Sequence, residues 1–350
     1  MPHSRYHLAF SKPLKDNIPK MKIRNTTLQD LETVTKIYAY AQDEMIKNGN
    51  PHQWEHTYPK YEDVLYDVLH NNSYVIEKEG HICGVFSLLF GVDPTYLKIE
   101  GQWLNDHPYA TIHRLASDGT QKGILKTALD YAFRFISDMR IDTYKDNHIM
   151  RNALKKYGFT YCGIIYLKNM LPRMAFHKCL AIETERLYLR KVVKTDVDAI
   201  YNNWAKHEIV TRYMTWLPHY DITTTKNIMK IWIEDYKRGD CDRFVIVLKS
   251  TDEPIGMIDV VDIEDGVPEV GYVLSPYYWN NGYMTEAGKA FINYLFEKGN
   301  KKISIRAQVD NIGSNRVIQK LGFNFIKTVE EPCSVLKPQI VKINCYELQK

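Results

Sequence analysis

The sequence repeats itself at the scale of a domain, and that repeat limits the folds open to it. RIDTYKDNHIMRNALKKYGFTYCGII, from Arg140, and ISIRAQVDNIGSNRVIQKLGFNFIKTV, from Ile303, follow one pattern. Each holds a β-like run, an Asp-Asn pair, a helical segment, a Gly-Phe pair and a second β-like run. Asp146-Asn147 answers to Asp310-Asn311, and Gly158-Phe159 to Gly322-Phe323, with no gap needed between the pairs. Upstream, IRNTTLQDLETVTKIY and LRKVVKTDVDAIYNNW each read as a strand, a polar cap and an amphipathic helix. SYVIEKEGHICGVFSLLF and FVIVLKSTDEPIGMIDVV each read as two strands joined by a tight polar turn.

In each copy a further strand, ATIHRLAS or EVGYVLSP, leads through a glycine-bearing loop into a long helix. In the first copy Ile124, Ala128, Ala132 and Ile136 form one row at four-residue spacing, beside Leu125, Leu129 and Phe133. In the second, Ala287, Phe291 and Leu295 lie beside Ala290, Tyr294 and Lys298. These rows predict buried helix stripes. The copies meet near Leu180–Ile182, which predicts an N-terminal extension over 1–20 and domains over 21–180 and 181–350. The length of 350 residues suits two domains. The element order predicts an α+β fold for each, a mixed, largely antiparallel twisted sheet flanked by helices. Ligands in such sheets favour the carboxyl end of the strand that feeds the helix.

A net charge of +4, with short basic runs, argues against a nucleic-acid partner. The six cysteines form no CxxC pair and no Cys/His cluster at metal spacing along the chain, so a reduced, metal-free protein of the cytoplasm is expected. Residues 1–20 lack the apolar run of a signal peptide, and no stretch approaches the ~18 apolar residues of a membrane span.

The helix starts are GTQKGILK and WNNGYMTE. The second delays its first carboxylate to Glu286, where a helix start built only for stability would carry a cap box and an early acid. Uncapped amides at such a turn suit a phosphate or pyrophosphate. Lys122 and Lys126 add charge in the first copy. The competing reading is a plain loop with a glycine for steric reasons. Neither loop is a GxGxxG or GxxxxGK[ST] motif, which argues against a dinucleotide or ATP.

VGYVLSPYYWNNGYMTEAGKAFINYLF together with IRAQVDNIGSNRVIQKLGF resembles the GNAT superfamily of acyl-CoA-dependent N-acetyltransferases. The resemblance is strongest to the ribosomal-protein N-terminal acetyltransferase branch, with W-x-x-G-Y-x-T-E-A followed by N-x-x-S-x-x-x-x-x-K-x-G-F, and it runs over residues 183–348. The first copy resembles GNAT domains in IHRLASDGTQKGILKTALDYA and IDTYKDNHIMRNALKKYGF. The resemblance implies acetyl-CoA as cofactor. Its loop pattern, Q/R-x-x-G-x-G/A, falls on Trp279, Asn280, Asn281, Gly282, Tyr283 and Met284, with Thr285 following. In the first copy it falls on Thr120, Gln121, Lys122, Gly123, Ile124 and Leu125. Met284 and Leu125 replace the final small residue, with the core as one place for their bulk.

The resemblance further implies a strand whose amides hold the pantetheine arm and the thioester oxygen. Here that means Val273 and Leu274, and in the first copy Arg114, Leu115 and Ala116. Asn311 and Asn147 are expected at the next helix start as cofactor ligands, as N-caps, or as both, with Ser314 one turn on. Glu269 is the candidate general base, its other reading a hairpin-end carboxylate in solvent, with Asp259 and Asp262 behind it. His113, set against Tyr272 by the sequence alignment, is the candidate base of the first copy, or a structural histidine. Where relatives carry a tyrosine acid, this chain has Leu154 and Ile318, which cannot donate a proton. Trp204, His207, Glu208, Arg212, Tyr213 and Trp216 read as an acceptor wall or as a mix of core and surface, and in the first copy Trp54 and His56 lie on a loop that covers the site or is a plain long connection. The expected activity is acetyl transfer to a primary amine, on a small molecule or a peptide N-terminus, by a monomer or homodimer. The alternatives are a non-catalytic acyl-CoA sensor, or one catalytic domain beside a structural one.

Overall fold

The computed structural model describes residues 21–54, 58–238 and 241–350; the expected 1–20 extension and His56 lie outside them. The first sheet contains β1 (Lys22–Asn25), β2 (Ser73–Lys78), β3 (His81–Phe90), β4 (Ile99–Gly101), β5 (Tyr109–Ser117), β6 (Asp138–Thr143), β7 (Thr160–Tyr166) and β8 (Pro172–Cys179). The second contains β9 (Ile182–Glu183), β10 (Leu187–Arg190), β11 (Arg243–Leu248), β12 (Glu253–Glu264), β13 (Val267–Leu274), β14 (Lys302–Gln308), β15 (Asn324–Pro332) and β16 (Ile340–Gln349). Their orders are β1-β2-β3-β5-β6-β8-β7-β4 and β9-β10-β11-β12-β13-β14-β16-β15. Without β4 and β9, which add to the edges, the two orders are the same. The helices are α1 (Leu31–Lys47), α2 (Tyr61–Leu69), α3 (Ile124–Ala132), α4 (His148–Lys156), α5 (Val197–Ile200), α6 (Glu208–Thr211), α7 (Ile222–Arg238), α8 (Tyr283–Glu297) and α9 (Ile312–Lys320). The architecture is the expected one: two mixed sheets flanked by helices.

Both faces of each sheet are covered. In the first, Ala128, Leu129 and Leu154 of α3 and α4 pack on Phe86, Met139 and Ile141, while Val34 and Ile37 of α1 pack on Val75 and Val85 from the other side. In the second, Ala287, Phe291 and Ile318 of α8 and α9 cover Ile246, Ile258 and Ile305, while Ile200 and Met229 of α5 and α7 cover Val245 and Met257. The predicted stripe runs past the end of α3. Phe133, Arg134 and Phe135 close the helix in tight turns, and Phe135 then packs against the Tyr188 and Val192 cluster of the second sheet.

Each sheet has one parallel pair, and it is short. β5 pairs with β6 only over Tyr109–Thr111, and β13 with β14 only over Glu269–Val270. Beyond those residues the strands part.

The ladders also revise how the copies align. Gly84 faces Ser117 and Gly256 faces Leu274, whereas His113 faces Ser87 and Gly271 faces Asp259. Counting from the glycines, His113 matches Gly271, not Tyr272. The cause is an extra residue in β5, where Val85 and Ser87 face Ala116 and His113 and Arg114 sits at φ 52°. Along the parallel pairs, Thr111 faces Arg140 and Glu269 faces Ser304, so Thr111 stands where the second copy has Glu269.

The repeat extends to an ion pair at the first helix of each copy. Arg190 meets Asp196 through two 2.8 Å hydrogen bonds, and Asp196 also accepts from the Val193 amide at 2.8 Å. Arg24 meets Asp30 at 2.7 and 2.9 Å, and Asp30 accepts from the Thr27 amide at 2.8 Å. The Arg190–Asp196 pair is the more buried, with side chains 5% and 4% exposed against 38% and 11% for Arg24–Asp30. Removing one partner of a buried pair strands the other charge and costs about 3–5 kcal/mol. Asp196→Ala should lose that much in denaturant unfolding of the full chain, and Asp30→Ala clearly less. Equal losses would refute the distinction.

Candidate active site at the parted strands

Where β13 leaves β14, its outer edge is open. The ladder decides which amides face that opening, because alternate residues of an antiparallel strand point to opposite edges. The Ser275 N–H donates to the Ile255 carbonyl at 2.8 Å. Val273, two residues earlier, therefore also turns its amide to β12. Leu274 turns to the open edge, where its carbonyl accepts from the Trp279 indole N–H at 2.9 Å. Of the two predicted strand donors, the register leaves the Leu274 N–H facing the gap.

The predicted loop follows. Asn280 and Gly282 both lie in the left-handed region, at φ 62° and 79°. Gly282 is required for its backbone: an added Cβ would meet only Arg186 Nη2, at 3.6 Å. The first hydrogen bond at the start of α8 is from Glu286 N–H to the Gly282 carbonyl, 3.0 Å, so the preceding amides have no intrahelical partner. Met284 is 5% exposed and packs in the core, so its bulk points away from the loop surface. Thr285 and Gly282 border an open cleft of about 370 Å³ with Lys289 and Lys320, whose lining also includes Glu185 and the Glu286 that Arg186 holds. The two lysines and the helix dipole make this a place for an anion.

Arg186, which sequence reasoning missed, organises this loop. Its guanidinium donates to Glu286 at 2.7 Å and to the Asn281 carbonyl at 3.0 Å, and lies 4.4 Å from the centre of the Tyr283 ring. Thr184 adds a 2.6 Å hydrogen bond to Glu286. Burial pushes the Glu286 carboxyl up, but the Thr184 and Arg186 hydrogen bonds outweigh it and hold it below its ordinary value. The first acid of α8 is thus an anchor for the loop, already neutralised.

Glu269 and Tyr272 lie on opposite faces of β13. Glu269 is 2.8 Å from Arg306, yet burial outweighs the guanidinium and raises its carboxyl above the ordinary value. The Tyr272 hydroxyl is 2.7 Å from Ser314 Oγ, and burial pushes its pKa up to about 12. No local pattern marks this Tyr–Ser pair, since its partners are 42 positions apart. Asn311 caps α9, accepting from the Ser314 amide at 3.2 Å. Asp259 is held by Arg243 at 3.0 Å, and Asp262 accepts from the Ile263 amide at 2.8 Å. Leu154 and Ile318 are both fully buried.

The acceptor-wall residues divide. Trp204 is 1% exposed and belongs to the core, while Trp216 is partly buried against the same cluster. His207 turns its ring to the Asn202 carbonyl at 2.8 Å. Glu208 and Arg212 line a second cleft of about 420 Å³ with Tyr220 and Lys337. The Tyr213 carbonyl accepts from Gln308, at the end of β14. This wall therefore borders the parted strands.

The first copy is arranged differently. Gly123 opens α3 at φ 84°, Ile124 is buried, Leu125 packs on the core, and Lys122 is exposed. Gln121 accepts from Lys78 at 2.9 Å, and Thr120 donates to Asp118. Beyond the bulge, the Asp118 amide donates to Cys83, which turns Ala116 to β3 and Leu115 to the open edge. Asn147 caps α4, accepting from Met150 N–H at 3.0 Å. Gln53 Oε1 accepts from Thr143 Oγ1 and the Tyr144 amide, at 3.0 and 2.8 Å, so the first helical loop reaches the end of β6. Trp54 is buried beside Tyr38 and Tyr58. His113 pairs with Asp93 at 2.9 Å; burial raises the Asp93 carboxyl, but His113 and Thr95 outweigh it and bring it to about 2.

If the α8 amides hold a pyrophosphate, Gly282→Ala should weaken coenzyme A binding. A left-handed non-glycine residue costs about 1–2 kcal/mol, and passing half of that to the bound state raises Kd about two- to fivefold. Calorimetric titration of the full chain checks this; an unchanged Kd would place the ligand elsewhere.

The model of the acetyltransferase (GNAT) domain matches residues 186–324. An uncharacterised N-acetyltransferase, p20 of Bacillus licheniformis, is 33% identical over 143 residues, 40% of this chain and 80% of that protein. A second, YoaA of Bacillus subtilis, is 30% identical over 145 residues, 41% of this chain and 81% of its own length. Among solved structures, a GNAT-family acetyltransferase from Streptococcus agalactiae is 30% identical, covering 45% of this chain and 95% of its own, with a TM-score of 0.42. With parted strands feeding an uncapped helix, and relatives matched over four-fifths of their length, this chain belongs to the GNAT family of acetyltransferases.

Proposed function

We propose that residues 181–350 form a domain that acetylates a primary amine with acetyl-CoA, and that residues 21–180 form a related domain that does not turn over by the same route. The observation that carries this is the placement of three groups around one strand. The Leu274 N–H lies along the open edge, Glu269 on one face and Tyr272 on the other. Acetyl-CoA supplies a thioester carbonyl and a thiolate leaving group. The Leu274 amide is the donor available to the carbonyl oxygen as negative charge builds on it. Glu269, less acidic than an exposed carboxylate, takes a proton from the ammonium group of the acceptor, directly or through one water. The freed amine nitrogen bonds to the thioester carbon, and the Tyr272–Ser314 pair delivers its proton to sulfur as the carbon–sulfur bond breaks; the second proton that the nitrogen sheds to become an amide restores the pair through water. The α8 amides with Lys289 and Lys320 take the phosphates, and the cleft of Glu208, Arg212, Tyr220 and Lys337 takes the acceptor, a small amine or a peptide N-terminus.

In the first copy Thr111 replaces Glu269 and cannot act as the base. Its hydroxyl is buried without a partner. His113 is displaced one register position by the bulge and turned to Asp93.

A free-thiol assay with acetyl-CoA over a panel of amines tests the reading. Glu269→Gln should lower kcat/KM about 10²- to 10⁴-fold, and Thr111→Val should leave it unchanged. Only the ionised carboxylate is a base, so activity falls as pH drops through the raised Glu269 pKa. The acidic limb of kcat/KM should therefore lie above the ordinary glutamate range, and vanish in Glu269→Gln. Binding of acetyl-CoA with no thiol release on any amine would instead establish a sensor.

A further inference from the structure

A second group of reactive side chains lies away from the parted strands, where the two sheets meet. Asp138 opens β6 and is fully buried. Its Oδ1 is filled from behind by His177 Nε2 at 3.0 Å and Asn105 Nδ2 at 2.8 Å. The Leu104 N–H donates to His177 Nδ1 at 3.3 Å, so the proton of that imidazole sits on Nε2 and points at Asp138. Oδ2 faces the other way, toward His107 Nδ1 at 3.2 Å. Cys179 stands directly across the ladder from Asp138. A ring nitrogen of His107, a carboxylate oxygen of Asp138 and Sγ of Cys179 lie within 4.8 Å of one another.

We propose that His107, Asp138 and Cys179 bind a zinc ion that clamps the junction of the two sheets. One nitrogen, one oxygen and one sulfur ligand suit Zn²⁺, whose bonds of about 2.0–2.3 Å place ligand atoms roughly 3.3–3.8 Å apart. The His107–Asp138 edge is already at that scale, and a water completes the tetrahedron. The carboxylate and a thiolate together cancel the charge of the dication, which makes the ion acceptable in a buried place. His177 and Asn105 fix the carboxylate from outside, the support that metal ligands need. The site also lies on a structural seam. The His107 ring stacks on Tyr188 of β10, centres 3.8 Å apart, and Cys179 ends β8 where the chain crosses to the second sheet. The Leu180 N–H donates to the Ser137 carbonyl at 2.7 Å, one residue from Asp138.

The full chain, purified with zinc present and dialysed against a weak chelator, should retain about one equivalent by elemental analysis. Its cobalt form should show thiolate-to-metal absorption in the near ultraviolet. Cys179→Ser should abolish that band, and Cys345→Ser, in the opposite half, should keep it. Asn105→Ala should raise the zinc Kd about 10- to 100-fold while leaving all three ligands in place, which keeps the idea testable if Cys179→Ser fails to fold. Absence of retained zinc and of a cobalt band in the unaltered chain would show a purely hydrogen-bonded cluster, and a band that survives Cys179→Ser would place the metal on another cysteine; either result overturns the proposal.

Discussion

A β-strand can spend its edge on a neighbouring strand or on a ligand, but not on both. In the second half of this chain β13 gives β14 only Glu269 and Val270, and keeps the rest of that edge. Phe291 of α8 and Ile318 of α9 pack beneath β14, while on the other side of the sheet Val210 and Ile200 pack against β11 and β12. The loop from Ser275 to Gly282 then carries the chain from the free edge to the start of α8, so strand amide and helix amides belong to one continuous surface. Trp279 secures the arrangement by donating its indole N–H to the Leu274 carbonyl. That satisfies the acceptor on the free edge and leaves the donor for something else.

The two copies show how little is needed to change such a site while keeping its fold. Their strand orders agree, their glycine-opened helices agree, and even the arginine–aspartate pair at the first helix recurs. One extra residue in β5 is enough to move His113 to a different register position from Tyr272. A slip of one residue exchanges the faces of a strand. The carboxylate position has also become Thr111, and a glutamine from the first helical loop sits at the end of β6. We attribute the chemical division of labour proposed for the two copies to these three local differences, since the hydrophobic frameworks are alike.

The sheet order, the helix stripes and the place of the turn were legible because each is a local pattern with a fixed period. Asp-Asn and Gly-Phe at constant spacing tie a strand, a helix and a second strand together without any long-range contact. The alignment of His113 with Tyr272 failed because a bulge leaves no mark in composition: Arg114 looks like any strand residue until its φ is known. Trp204 reads from the chain alone as wall or as core, and only the fold decides, burying it among Ile200, Val210 and Val245. Arg186 and the Tyr272–Ser314 pair were invisible for a related reason. Their partners stand 100 and 42 positions away, and only the fold makes them neighbours.

The acid at the start of α8 illustrates the same dependence. A carboxylate in the first turns of a helix that receives an anion is an electrostatic liability, since it competes for the same amides and repels the ligand. Here Glu286 is turned aside by Arg186 and Thr184, both just ahead of β10. Arg186 thereby spends its charge twice over, on Glu286 and on the Asn281 carbonyl, so that the residue neutralising the liability is also the one that shapes the turn. The sheet edge at β10 and the loop ahead of α8 are consequently mechanically linked. Loosening the chain near residue 186 would disturb the loop even though no group there need touch a ligand. Residues 184 and 186 follow directly on β9, which continues the crossing from the first sheet. The linker between the two halves is therefore part of the support of the site.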